Sequence, residues 1–438
     1  MNRKRCHFTD DKVKRYIRLN LWVKTVVILV NYFFLFNLYG LSQNLFNGRV
    51  VDAKTGEPIP YATVYVSESK GTLTNMEGKF SLDLTPNDSV SISFLGYGKL
   101  RFSAHDLPKV VKMESSATLM KEVTVVSPQN ILKKVISKLD KEYRTKNSKS
   151  SNYFLRQTFV QESGRSEMVE AFMQASSNTN LRDIFFVSGK HYRMGDYSEV
   201  KTLFSASNLQ HLFDFAPRVY ENAFWSKIYV PLGFCIPSQK TASSSYYAGS
   251  QFSTDMYDYQ SYDNYKKSLR YFDVRVEELS GEEGYYKISF ARRDLALMVP
   301  IVVGTLYVQS KGYKLLGFEG RMLNMVLDTQ KDFWKEINET EPIIRIGYTH
   351  EHKFTEVKYV ACNLEAAQMK CRSIVYNLNE RELKADKDRM VRMGDNMLDA
   401  VTRVGYDSTL WQQTHILRTE EEERIAKENN QTEDASPM

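Results

Sequence analysis

Between Asn47 and Leu84 the chain is a series of short runs with a period of two, each closed by turn-forming residues. Ala62, Val64 and Val66 alternate with polar or aromatic neighbours in YATVYV, Phe80, Leu82 and Leu84 do so in KFSLDL, and Val90, Ile92 and Phe94 do so in SVSISF. Side chains on a strand point alternately to its two faces, so each run buries one face and wets the other. Short half-buried strands in succession, with no helical run between them, are the signature of two small sheets packed face to face. The punctuation agrees: Gly56, Pro58 and Pro60 lie in DAKTGEPIP, Gly78 ends a tight connection from Thr74, and Gly96 and Gly98 follow the fourth run. KVVKME closes the unit near Glu114, which predicts six or seven short strands in a compact sandwich.

The runs GRVVDAKTGEPIPYATVYV, TNMEGKFSL, SFLGY and KEVTVV, in that order over residues 47–126, resemble the carboxypeptidase regulatory-like domain. That domain is a transthyretin-like, or prealbumin-like, β-sandwich common in Bacteroidetes envelope proteins and at the front of TonB-dependent receptors. It is an accessory module there, so the resemblance implies a fold and a docking role and no catalytic residue.

A chain of 438 residues exceeds one ordinary domain, and about two or three are expected. Residues 1–42 form a unit of their own: a basic segment precedes VVILVNYFFLFNLYG, and Gly40-Leu41-Ser42 leads into Gln43. That layout predicts a cleaved export signal, with no transmembrane segment in the mature chain, because the apolar run falls short of the ~20 residues a bilayer requires. Eight of the 59 Lys and Arg and two of the 53 Asp and Glu lie in this leader, so both signs number 51 in the remainder and its net charge is zero. A balanced chain without basic arrays gives no reason to expect a nucleic-acid partner.

After Pro128 the period changes. Ile131, Leu132, Val135, Ile136, Leu139 and Tyr143 recur at helical spacing, which predicts one amphipathic helix. Its stripe needs a cover, and YFLRQTFV, YFDVRVEEL, YYKISF, GTLYVQS, YKLLGFEGRM, PIIRIGYTH, KFTEVKYV and RSIVYNL supply strand-like runs, with Lys311-Gly312 as a hairpin turn. The expected second domain, residues 127–385, is therefore α+β, with an antiparallel sheet curled around the helix as a half-barrel. This region resembles the one that follows the same accessory domain in uncharacterised Bacteroidetes envelope proteins. GTLYVQSKGYKLLGFE is also similar to the closing strands of the lipoprotein-carrier type of half-barrel, whose concave face holds acyl chains. The fold class expected for the chain is mainly β, a prealbumin-like sandwich over 43–126 plus this larger domain.

Residues 209–266 have a different texture, rich in Ser, Asp and Tyr. Tyr246, Tyr247, Tyr257, Tyr259, Tyr262 and Tyr265 are the candidate binding surface for a glycan or peptide, since tyrosine joins flat apolar area to a polar end. Residues 386–438 read as an extension pinned by Tyr406 and Trp411 and ending, after Glu420, in a solvated polar tail, either a frayed helix or disordered.

Reactive constellations are sparse. His350 and His352 share one face of a strand with Glu356 and form the one candidate metal set, but they lack the helical spacing of zinc peptidases. No GxSxG occurs, and Ser163-Gly164 and Ser188-Gly189 read as turn dipeptides. Cys235, flanked by Phe234, Ile236 and Pro237, reads as a buried thiol, and Asp255, Asp258 and Asp263 are the acidic group to inspect for paired carboxylates. Cys362 and Cys371 flank a connection between two strand-like runs and are placed for one cross-strand disulfide. No cofactor is implied. The expectation is a non-catalytic exported envelope protein of the periplasm or outer-membrane periphery, with a docking or scaffold role. The alternatives are a lipid or lipoprotein carrier, which requires an apolar groove, and an envelope hydrolase, which requires His350 and His352 or two of the aspartates to converge.

Overall fold

The computed structural model describes residues 45–67, 70–115, 123–144, 150–177, 181–195, 269–279, 284–295, 301–323, 341–349, 355–366, 369–378, 383, 397–414 and 417–434. The alternating runs form the expected sandwich. β1 (Leu45–Asp52) lies between β4 (Lys79–Asp83) and β7 (Val110–Met113), antiparallel to the first and parallel to the second. Facing it are β3 (Gly71–Leu73), β2 (Thr63–Tyr65), β5 (Ser89–Ser93) and β6 (Leu100–Ser103), in that spatial order. Val50, Ala62, Val64, Phe80, Val90, Ile92, Val111 and Met113 fill the space between the sheets. Each of the larger ones contributes about 1.5–3 kcal/mol relative to exposure. Gly78 closes the Thr74 turn at φ +72°, and a Cβ there would strike the Val50 carbonyl oxygen, so two constraints demand glycine at one position.

The run at 123–126 belongs elsewhere. β8 (Val123–Val126) pairs antiparallel with the strand Phe272–Leu279 and forms an end strand of the second sheet, so the sandwich ends with β7. The chain thus enters the larger domain as a strand of it.

That domain is built on one eleven-stranded antiparallel sheet, made of two meanders. β12 (Phe272–Leu279), β13 (Tyr285–Arg292), β14 (Ile301–Gln309), β15 (Leu315–Leu323), β16 (Ile343–Thr349), β17 (Glu356–Ala366) and β18 (Met369–Asn377) follow one another in space as in sequence. β9 (Ser150–Gln161), β10 (Ser166–Ser177) and β11 (Leu181–Met194) form the other. The two are joined where β18 pairs with β9, Arg372 opposite Thr158 and Ile374 opposite Arg156. Gly312, at φ +84°, turns the β14–β15 hairpin at the expected dipeptide.

The curled half-barrel is not formed. Among the described residues the strand order runs from β11 at one end to β8 at the other, with no ladder between those ends, so the sheet is open. Its inner face is covered by separate helices rather than wrapped around one. α1 (Pro128–Arg144) is the expected amphipathic helix and packs Ile131, Leu132, Val135, Ile136 and Leu139 into the core, beside β12 and the β14–β15 turn. α2 (Met397–Val404) covers β10 and β11 with Leu398, Ala400 and Val401. An open sheet serves because two covers at opposite ends remove the need for curvature.

The expected disulfide is also not made. Cys362 and Cys371 are free and buried in the inner core. The ladder sets Cys362 opposite Ser373 and Cys371 opposite Leu364, a diagonal relation. Diagonal Cα atoms stand roughly 7–8 Å apart, beyond the span that a disulfide bridges without backbone movement. Burial pushes both thiols well above their ordinary pKa, the neighbouring sulfur adding to the rise at Cys371.

The tail after Glu420 is helical, as one of its two expected forms, but docked rather than solvated. α3 (Ser408–Gln413) buries Trp411 against Phe154 and Phe172, as the pinning role requires. Beyond it α4 (Glu420–Asp434) is a helix docked on β10 and β11, with Ile425 and Ala426 buried against Met168, Tyr192 and Met194.

Candidate functional site

Alternation along β9, β10 and β18 sends Tyr153, Leu155, Val169, Ala171, Cys371 and Val375 to the inner core. Arg156, Thr158, Glu170, Arg372, Ile374 and Tyr376 point to the outer face. Two things are seated there, the C-terminal segment and the sandwich.

The C-terminal segment is held by charge. Arg156 and Glu170 are cross-strand partners, and the Arg156 Nε donates to Glu170 Oε1 at 2.7 Å. Arg418 donates to the same carboxylate through Nη2 at 2.7 Å and Nε at 3.1 Å. The second arm of Arg156 donates from Nη1 to Glu422 Oε2 at 3.0 Å and to the Leu417 carbonyl at 3.1 Å. Glu422 has a local task as well: its carboxylate accepts from the Thr419 amide while Thr419 Oγ1 accepts from the Glu422 amide. That reciprocal pair is a capping box, and it starts α4 where four successive glutamates sit favourably against the helix dipole. Burial pushes the fully buried Glu170 carboxyl upward, but the guanidiniums of Arg156 and Arg418 outweigh it and hold the group ionised, below its ordinary pKa. Arg418 also meets Tyr192, whose phenol burial and the Glu170 charge push upward.

The sandwich is held by aromatic and apolar contact. Tyr61 has a left-handed backbone, φ 64°, and its buried ring lies 5.7 Å from that of Tyr359 on β17. Its hydroxyl donates to Met76 Sδ at 2.9 Å, and burial pushes its pKa up to about 12. Leu73, Met76, Ala361, Ile374 and Tyr376 complete this patch. Leu95 of the sandwich lies so close over Gly317 of β15 that a Cβ on that glycine would strike its side chain. Between the patch and the charge cluster is a cavity of about 50 Å³, lined from the sandwich by Tyr61 and Thr72–Met76 and from the sheet by Arg156, Thr158, Arg372 and Tyr376, with Leu417 and Glu422 at one side.

The residues singled out by sequence fall mostly beyond this region. Tyr246, Tyr247, Tyr257, Tyr259, Tyr262 and Tyr265 lie outside the described residues, as do Cys235, Asp255, Asp258, Asp263, His350 and His352. Glu356 is buried at the start of β17 and accepts from Ser151 Oγ at 3.3 Å. Among the described residues no group of three or more His, Cys, Asp or Glu is placed to hold a metal ion. Nor is any described helix long and apolar enough to cross a membrane. One cluster went unread: Glu167, fully buried on β10, has His191 Nε2 at 3.4 Å and Arg193 Nε at 3.7 Å on β11. Its only signal in the sequence was a carboxylate inside a run of strand length, and β10 itself was missed.

Residues 46–125 match the family model described as the CarboxypepD_reg-like domain, so the chain carries that domain at its N-terminal side. The match spans the seven sandwich strands and runs into β8. No curated protein matches the chain.

Proposed function

We propose, from a CarboxypepD_reg-like domain seated firmly on a second domain, that this is a non-catalytic, exported envelope protein of the periplasm or outer-membrane periphery whose sandwich is a fixed docking module. The observation that carries the reading is the seat itself. A module on a loose tether searches space, whereas one anchored through Tyr61, Met76 and Leu95 presents its far side in one orientation. Its surface includes the end strand β7, which pairs only with β1 among the described residues and leaves Val110 half exposed, with Lys112 beside it on the same face. An end strand with an open backbone edge takes an extended segment of a partner by strand addition. The carrier alternative draws no support from the described inner face, which α1, α2 and the sheet's own apolar side chains occupy.

The test is a photo-crosslinking amino acid placed singly at Val110, Lys112 and the exposed Leu295 of the full chain, expressed in its native cells. A discrete envelope-protein adduct from the two β7 positions and none from Leu295 is expected. The same pattern from all three positions, or no adduct from β7, overturns the reading.

A further inference from the structure

Two hydrogen-bond donors, one from each domain, converge on a single thioether in the seat of the sandwich. The Tyr61 hydroxyl donates to Met76 Sδ at 2.9 Å, and from β17 of the sheet Asn363 Nδ2 donates to the same sulfur at 3.6 Å. Both donors are buried, Tyr61 at 3% exposure and Asn363 at 7%. Tyr61 holds its ring there from a left-handed backbone, a strain that persists where the surroundings fix a side chain's aim. A thioether is a weak acceptor, so the two buried donors share a partner poorer than either could use. A sulfoxide oxygen on the same sulfur is a strong acceptor, and conversion to the sulfoxide is the common oxidation of methionine.

Access and room point to the same residue. Met113, Met168, Met173, Met194, Met322 and Met369 are buried, at 7% exposure or less, whereas Met76 is half-buried. Met76 also lines the cavity of about 50 Å³ beneath the sandwich, which exceeds the ~10–15 Å³ that an atom of water size needs. Its unbranched side chain can draw the sulfur back towards that space without moving the backbone. We propose that Met76 is an oxidation site whose sulfoxide locks the sandwich to the sheet, its oxygen accepting from the Tyr61 hydroxyl and the Asn363 amide in place of the sulfur. The oxidant is hydrogen peroxide: a sulfur lone pair forms the S–O bond, the O–O bond breaks, and the second oxygen leaves as water. Sulfur loses two electrons and the peroxide gains them. The lock joins the domains because Met76 and Tyr61 belong to the sandwich and Asn363 to β17. The inference stands independently of the docking reading.

The experiment is graded hydrogen peroxide treatment of the full chain, with the oxygen gained at each methionine followed by peptide mass spectrometry and the products compared by thermal unfolding. Met76→Leu, treated identically, keeps the packing and carries the same oxidation everywhere else. Met76 is expected to oxidise ahead of the buried methionines, and peroxide is expected to move Tm about 2–4 °C further upward in the wild type than in Met76→Leu. Tyr61→Phe and Asn363→Leu each remove one donor and should diminish or reverse that difference, since the sulfoxide is then buried short of a partner; either variant serves if the other does not fold. Oxidation of Met76 no faster than that of the buried methionines, a peroxide shift no higher in the wild type than in Met76→Leu, or an undiminished difference in a folded donor variant overturns the proposal.

Discussion

The sandwich and the C-terminal helix sit on the same outer face of one sheet, and they are held there by opposite means. Tyr61, Leu73, Met76 and Leu95 seat the sandwich by burying apolar area on Tyr359, Ile374 and the bare backbone of Gly317. Arg418, Glu422 and their neighbours seat α4 by charge, with Ile425 and Ala426 buried beneath it. Apolar seats are indifferent to ionic strength and pH, while a seat made of guanidiniums and carboxylates depends on both. The difference gives one platform a permanent attachment and a conditional one.

The comparison breaks most sharply at Glu170. Glu170→Ala leaves the buried Arg156 and the half-buried Arg418 without their shared anion and should cost about 3–5 kcal/mol, read as a lower urea midpoint of the full chain. Acid probes the same group without mutation. The folded pKa of Glu170 lies below its ordinary value, so its contribution is complete above ~4.3 and is lost as pH falls through the depressed value. Stability measured from pH 7 downward should fall in that window, and Glu170→Gln should flatten the fall.

On the apolar side, Gly317→Val drives a side chain into Leu95 and the Ile346 carbonyl and should cost about 1–3 kcal/mol by overpacking. Proteolysis between sandwich and sheet should quicken in that variant and be unchanged by added salt. The smallest effect is at the rim. Lys79 Nζ meets Glu420 Oε1 at 3.1 Å with the glutamate 86% exposed, so Glu420→Ala should change stability by less than about 1 kcal/mol, and 0.5–1 M salt should abolish even that, within ~1 kcal/mol precision. A loss of several kcal/mol there would mean that α4 is held at its rim rather than at Glu170.

How far these seats could be read from sequence follows the same division. The sandwich was legible because each strand has one wet face, so YATVYV and KFSLDL show the period openly. α1 was legible for the same reason. β10 and β11 were not: covered on both faces, SEMVEAFMQASS alternates Glu170 and Phe172 with Val169 and Ala171, and neither period two nor period 3.6 stands out. The run TEEEER reads as solvated because counter-charges such as Arg372, Arg156 and Lys79 lie 49, 266 and 341 residues away. The alternation of β8 does not say which sheet it joins, because its partner β12 lies beyond a long intervening stretch. Local patterns report which face is dry, and they are silent on a charge whose partner is distant.

The junction between β9 and β18 sets an order of events during synthesis. β9 leaves the ribosome about two hundred residues before β18, since Phe159 finally faces Cys371. Until then the β9–β11 meander has a twelve-residue strand with one backbone edge unpaired, and neither α2 nor α4 to cover its faces. The sandwich completes itself early from local strands, but the sheet it will sit on exists only after nearly the whole chain has emerged. The interval between those two moments is the protein's period of greatest exposure to aggregation.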